Sequence, residues 1–191
     1  MVRTMDPALH KILKMPALEA APLLLGAELL VRGVGGTLVE VEAYDEGDPA
    51  SHCYGGPRGR NVPMFLPGGH IYVYRSYGVH WCMNLVTGPV GKGEAVLLRG
   101  LVPVQGIDEM RSRRGDVPDH QLARGPGNLT KALGVSDAEN GSLLGGDVCV
   151  VLAKSPPDVV IARRIGINVA IDEPRRFFVK GSRSVTRPSY V

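Results

Sequence analysis

Hydrophobic positions change their spacing several times along the 191 residues, and each change marks an element. Leu9, Ile12 and Leu13, followed by Leu18, Leu23 and Leu24, recur near helical spacing. The opening therefore predicts helix, broken or restarted at Pro16 and Pro22 and ended at Gly26. Beyond it the period shortens to two. Runs 28–32 and 37–44 flank Gly33-Val34-Gly35-Gly36 and predict a hairpin, with the glycines where positive φ is needed. In its second strand Val39, Val41 and Ala43 share one face, and Glu40, Glu42 and Tyr44 the other. Runs 70–76 and 79–86 are rich in β-formers around Gly78 and predict a second hairpin with Tyr77 at its tip. Tyr72 and Tyr74 fall on a shared face. Run 94–101 is a further strand, nearly all apolar apart from Arg99. Proline-opened helices are expected at 103–114 and Pro126–Leu133, the second closed by Gly134, and short strands at 148–152, 159–165 and 176–180.

Strands outnumber helices without a regular βαβ alternation, so the expected fold is α+β: a single compact mixed domain, 1–191, on a curved, mostly antiparallel β-sheet. Gly (25) and Pro (15) make up about a fifth of the chain, which suits many turns and argues against a helix bundle. Hydrophobic residues at 44% and charged residues at 21% exclude a disordered chain. No stretch approaches the ~18 apolar residues of a membrane span, and the start has no apolar signal core. A cytoplasmic location without a membrane partner is the expectation. Cys53, Cys82 and Cys149 are odd in number and lack CxxC spacing, which points away from a disulfide framework and a zinc ribbon.

The net charge of +3 says little about partners, but its distribution says more. Between residues 49 and 93 there is no Asp or Glu, while Arg58, Arg60, Arg75 and Lys92 are present together with six of the ten aromatics. From Arg163 onward seven basic residues face only Asp172 and Glu173. A basic, aromatic, acid-free segment suits stacking against a polyanion. Within this frame Glu42 is either a solvated strand position or a functional acid. Arg99 sharpens the choice, because a cation inside an apolar strand needs an anion. A Glu/Arg pair in a cleft orients and activates water, or is simply a structural ion pair. Tyr77, beside a glycine at a turn, either packs on a neighbouring loop or serves as a wedge in a base stack, with Tyr44, His52 and Tyr74 around the extruded base. His52, Cys53, His80 and Cys82 invite a zinc reading, yet adjacent ligands point to opposite sides of an extended chain. The glycine- and arginine-rich 55–60 run lacks phosphate-loop spacing and reads as a flexible basic loop.

Val-Glu-Ala-Tyr (41–44), Ala-Ser-His (50–52), Arg-Asn-x-x-Met-Phe (60–65), Tyr-Val-Tyr-x-x-Tyr-Gly-x-x-x-Cys-Met-Asn (72–84), Val-Leu-Leu-Arg-Gly-Leu-x-Pro (96–103) and Arg-Gly-Pro-Gly-Asn-Leu (124–129) occur in this order. Together with Arg-Phe-Phe-Val-Lys-Gly-Ser near the end, they resemble the 3-methyladenine (alkyladenine) DNA glycosylase family. The resemblance implies a DNA-inserting β-hairpin and hydrolysis of the N-glycosidic bond of alkylated or deaminated purines in duplex DNA. It implies Glu42 as general base and Arg99 as a holder of the water. Tyr77 matches the intercalating residue, Tyr44, His52 and Tyr74 the walls around the flipped base, and Asn84 a filter against normal guanine. Arg60, Lys131, Lys180 and Ser182 are the implied DNA contacts, with Lys131 standing in for a lysine that many members carry where this chain has Asn128. No metal or cofactor is implied, and a monomer is expected. Two other classes remain: a non-catalytic single-strand binding module, which the acid Glu42 would weaken, and a zinc hydrolase.

Overall fold

The computed structural model describes residues 6–187. Two short helices open the chain, α1 (Pro7–Leu13) and α2 (Ala17–Leu24). Pro16 restarts the helix as expected, but Pro22 lies inside α2 without breaking it. The carbonyl that Pro22 leaves without a helical donor belongs to Leu18, an exposed residue. Strands β1 (Glu28–Val31) and β2 (Val34–Asp45) follow. Their turn is shorter than the sequence predicts, just Arg32 and Gly33, both at positive φ. Gly35 and Gly36 belong to β2 and serve close approach: a Cβ there would meet the Leu29 and Val102 carbonyl oxygens at 1.8 and 2.0 Å.

The second hairpin forms as expected from β3 (Ile71–Ser76) and β4 (His80–Val86). β5 (Glu94–Gln105) runs through Pro103, which therefore does not open a helix. Pro103 sits at a register shift opposite Gly36, where the ladder loses little from a missing N–H. α3 (Ile107–Arg114) begins after left-handed Gly106, α4 (Asp119–Leu122) follows, and α5 (Pro126–Leu133) closes on left-handed Gly134 as read from the sequence. β6 (Val148–Val151), β7 (Val159–Ala162) and β8 (Arg176–Val179) complete the chain.

All strands join one antiparallel, curled sheet in the order β3-β4-β5-β2-β1-β6. β8 pairs with β2 at Glu40–Glu42, and β7 pairs with β8. Val41, Ala43, Ile71, Val73, Met83, Leu85, Val96 and Leu98 share the main core with residues of the helices, among them Leu9, Leu13, Leu24 and Leu133. A smaller core of Cys53, Met64, Phe65, Tyr72, Val86 and Ala95 lies on the other side.

Candidate active site

The period of two that sends Val41, Val73, Met83 and Leu98 into the main core sends their neighbours to the opposite face. There Tyr72, Asn84, Leu97 and Glu42 form one row across β3, β4, β5 and β2. Above this row opens a cavity of about 680 Å³, within the usual size of a small-molecule site. Tyr44, His52, Arg60, Tyr74, Arg99 and Ile165 line it, with Tyr77 and Arg75 at the hairpin end and Cys82 and Asn84 on β4.

Glu42 is fully buried, which removes the solvated-face reading. Its Oε2 accepts from Tyr44 Oη at 2.8 Å and from Arg99 Nη1 at 3.2 Å, and its Oε1 accepts from the Ile165 amide at 2.9 Å. Those three donors line the cavity and hold the acid directly behind it. Burial and then the Glu42 charge push the Tyr44 phenol well above its ordinary range, so Tyr44 stays a donor. Burial alone would lower the Arg99 pKa, but Glu42 and Glu40 outweigh it and raise it. Arg99 is a permanent cation here. The Arg164 guanidinium lies 4.7 Å from the centre of the Tyr44 ring and covers one of its faces.

His52 and Tyr74 meet edge to face with ring centres 4.3 Å apart, and Tyr72 stacks on Tyr74 at 5.5 Å. His52 Nδ1 also shares a hydrogen bond of 2.9 Å with Tyr72 Oη. No planar base fits between His52 and Tyr74, so the stacking surface they offer is the side turned to the cavity. Burial, then the charge of Arg60, lower the His52 pKa and keep its ring neutral at pH 7. Burial pushes the Tyr72 phenol up to about 12. Asn84 donates to the Tyr72 carbonyl at 3.1 Å, which pins its side chain at the cavity floor.

The basic segment 55–60 is a loop up to Arg58 and is braced by Asn61. Asn61 accepts from the Arg58 amide at 2.6 Å and donates to the His52 and Gly56 carbonyls, and a 3₁₀ helix runs Gly59–Phe65. This places Arg60 exposed at the cavity edge. Tyr77 is 94% exposed at φ 49°. Lys131 lines a second cleft, of about 460 Å³, with Val79, His80 and Arg113, and Lys180 and Ser182 line neither space. His80 lies against Gly127 of α5, at this second cleft. Among the described residues no three His, Cys, Asp or Glu side chains gather closely enough to hold a metal ion. No helix among them is long and apolar enough to cross a membrane.

Three features escaped the sequence. Glu40 is buried beside Glu42 and shares Arg99 with it. Arg164 and Asp48 form a wholly buried ion pair, and residues 165–169 form one wall of the cavity. Strand alternation already set Glu40 beside Glu42, but no local signal marks the other two.

The methylpurine-DNA glycosylase family model matches residues 11–183. The chain is 52% identical over 171 residues to a protein of Rhodopseudomonas palustris strain HaA2, covering 89% of this chain and 85% of that one. It is 45% identical to a protein of Bradyrhizobium diazoefficiens, covering 97% and 96%. It is 50% identical to one of Methanoculleus marisnigri, covering 86% and 90%. All three carry the name "Putative 3-methyladenine DNA glycosylase".

Proposed function

The chain belongs to the methylpurine-DNA glycosylase family and is a glycosidase acting on DNA, and from that premise we propose how it works and on what. It takes alkylated or deaminated purines, of the 3-methyladenine, 7-methylguanine, hypoxanthine and ethenoadenine class, out of duplex DNA as a monomer and hydrolyses the N-glycosidic bond. The observation that carries this reading is the Glu42 carboxylate held by three donors behind an aromatic cavity. A carboxylate offers about four lone-pair positions. Tyr44, Arg99 and the Ile165 amide occupy three, and the fourth, on Oε1, takes the proton of a water entering from the cavity. That water attacks C1′ as the C1′–N bond breaks, its proton passes to Glu42, and the bonding pair leaves with the base. An alkylated purine that already carries positive charge departs as a neutral molecule.

A purine inside the stack is out of reach, so flipping must repay a few kcal/mol of lost stacking. Tyr77 fills the gap left in the duplex, and Tyr44, His52 and Tyr74 receive the base. A cationic lesion gains about 0.5–2 kcal/mol over an aromatic face, which favours it over a normal purine. Arg60, Lys131, Lys180 and Ser182 meet phosphates. The test is release of free base from duplexes bearing 3-methyladenine, hypoxanthine or ethenoadenine. Glu42→Gln keeps the shape and removes the proton acceptor, so excision falls by about 10²–10⁴ while lesion binding survives. Near-normal single-turnover excision by that variant would refute the assignment.

A further inference from the structure

Glu40 is as deeply buried as Glu42, two residues away, on the strand where β2 shifts register against β5 at both Leu38/Glu40 and Glu40/Val41. A second buried acid beside the first is costly, and an apolar side chain would pack there more cheaply. Its contacts suggest what it does. Arg99 gives its Nε to Glu40 Oε1 and its Nη1 to Glu42 Oε2, each at 3.2 Å. A guanidinium left with one carboxylate turns to grip both oxygens in a fork. With Glu40 holding the Nε edge, Arg99 reaches Glu42 through one nitrogen and leaves open, for water, the Oε1 position that the Ile165 amide does not occupy.

Glu40 is itself fixed from the far end of the chain. Arg176 Nε donates to its Oε1 at 2.7 Å, the Thr186 amide donates to its Oε2 at 2.7 Å, and Arg176 Nη2 donates to the Thr186 carbonyl at 2.6 Å. Residues 184–186 press so closely that a Cβ on Gly100 would lie 2.7 Å from the Ser184 carbonyl oxygen and 3.3 Å from Glu40. The four charges, Glu40, Glu42, Arg99 and Arg176, balance to zero.

We propose that Glu40 is a positioning residue for the glycosidase reaction, acting through Arg99, and that residues 184–186 hold it in register. The inference rests on Glu42 being the base. It is tested with the full chain and a duplex bearing 7-methylguanine, under single turnover with protein in saturating excess. Wild type, Glu40→Gln, Glu42→Gln and the double variant are compared for rate, for affinity toward the lesion duplex and for thermal unfolding. Glu40→Gln is expected to slow the chemical step by about 10- to 100-fold with little change in affinity. The double variant is expected to be no slower than Glu42→Gln, because Glu40 has nothing left to position. A wild-type rate for Glu40→Gln, or losses that multiply in the double variant, overturns the proposal. An active Glu42→Gln removes the base assignment and this inference with it, whereas an inactive Glu42→Gln beside a fully active Glu40→Gln removes the inference alone. Should Glu40→Gln fail to fold, Thr186→Pro removes the amide that holds Oε2 while the Glu40 carboxylate stays in place. A several-fold loss in the same rate then supports the proposal, and an unchanged rate overturns it.

Discussion

Replacing Tyr77 by glycine separates fold from function, because the two should move in opposite directions. The ring is 94% exposed, so its removal forfeits almost no buried apolar surface. Tyr77 and Gly78, at φ 49° and 70°, are the two central residues of the turn that the Val79 amide closes on the Ser76 carbonyl, and both are left-handed. That conformation costs an ordinary L residue about 1–2 kcal/mol and glycine almost nothing. Against this relief stands the wider freedom of glycine in the unfolded chain, about 0.5–1 kcal/mol. The balance runs from neutral to about 1.5 kcal/mol stabilising, which raises Tm by up to about 3–6 °C at this chain length. Excision from duplex DNA should meanwhile fall, since no ring fills the gap behind the flipped nucleotide. Thermal unfolding and single-turnover excision on the same preparation check both halves. A clear drop in Tm would mean that the ring packs against the protein, and undiminished excision would mean that it is no wedge.

Asn84→Ser is expected to raise the release of undamaged guanine relative to hypoxanthine, because it removes the amide that Tyr72 pins at the cavity floor; parallel base-release assays on the two duplexes measure the ratio. No lysine among the described residues lines the cavity, so borohydride added during turnover should trap no protein–DNA adduct, and the strand should break only after alkali or heat. The Met1 amine lies outside the described residues, and a crosslink mapping to it or to any lysine would contradict a water nucleophile. Asp48→Asn strands the buried Arg164 guanidinium, whose Nε already lacks a partner among the described residues; denaturant unfolding should show a loss of about 3–5 kcal/mol, and a smaller one when Arg164→Met is added.

What the sequence made legible was local. Alternation alone separated Val41 and Ala43 from Glu42 and Tyr44, and the same rule placed Tyr72, Tyr74 and Asn84 on the cavity face. Arg99 stood out because an apolar strand has no other use for a cation. The misreadings came from residues with two possible uses. Gly35 and Gly36 read as turn residues needing positive φ, but what they supply is the absence of a side chain. Pro103 has the same fixed φ at a helix start and at a β irregularity, and only the pairing with Gly36 decides between them. Asn61 braces the loop before the 3₁₀ helix through bonds to backbone up to nine residues away, which no local spacing announces. Beyond that range nothing was readable: Arg164 meets Asp48 across 116 residues of chain, and Arg176 meets Glu40 across 136.

The placement of these charges answers a conflict built into the chemistry. A protein that binds a polyanion gains from cations at its surface and loses from every exposed carboxylate, yet hydrolysis by activated water asks for a carboxylate near the sugar. Here the cations Arg60 and Arg75 are exposed on the cavity wall, while Glu40, Glu42 and Asp48 lie behind it with no exposed charge that Arg99, Arg176 and Arg164 do not offset. To a phosphate outside, the site presents positive charge. Behind the groups that line the cavity lies the Glu42 carboxylate, bonded to Tyr44, Arg99 and Ile165. On the proposed reading, a cationic base entering that space would meet aromatic faces and a buried acid, so lesion charge and base extrusion would be selected together. On this reading the buried ion pairs are retained at a cost in stability because they keep the acid hidden until the base is inside.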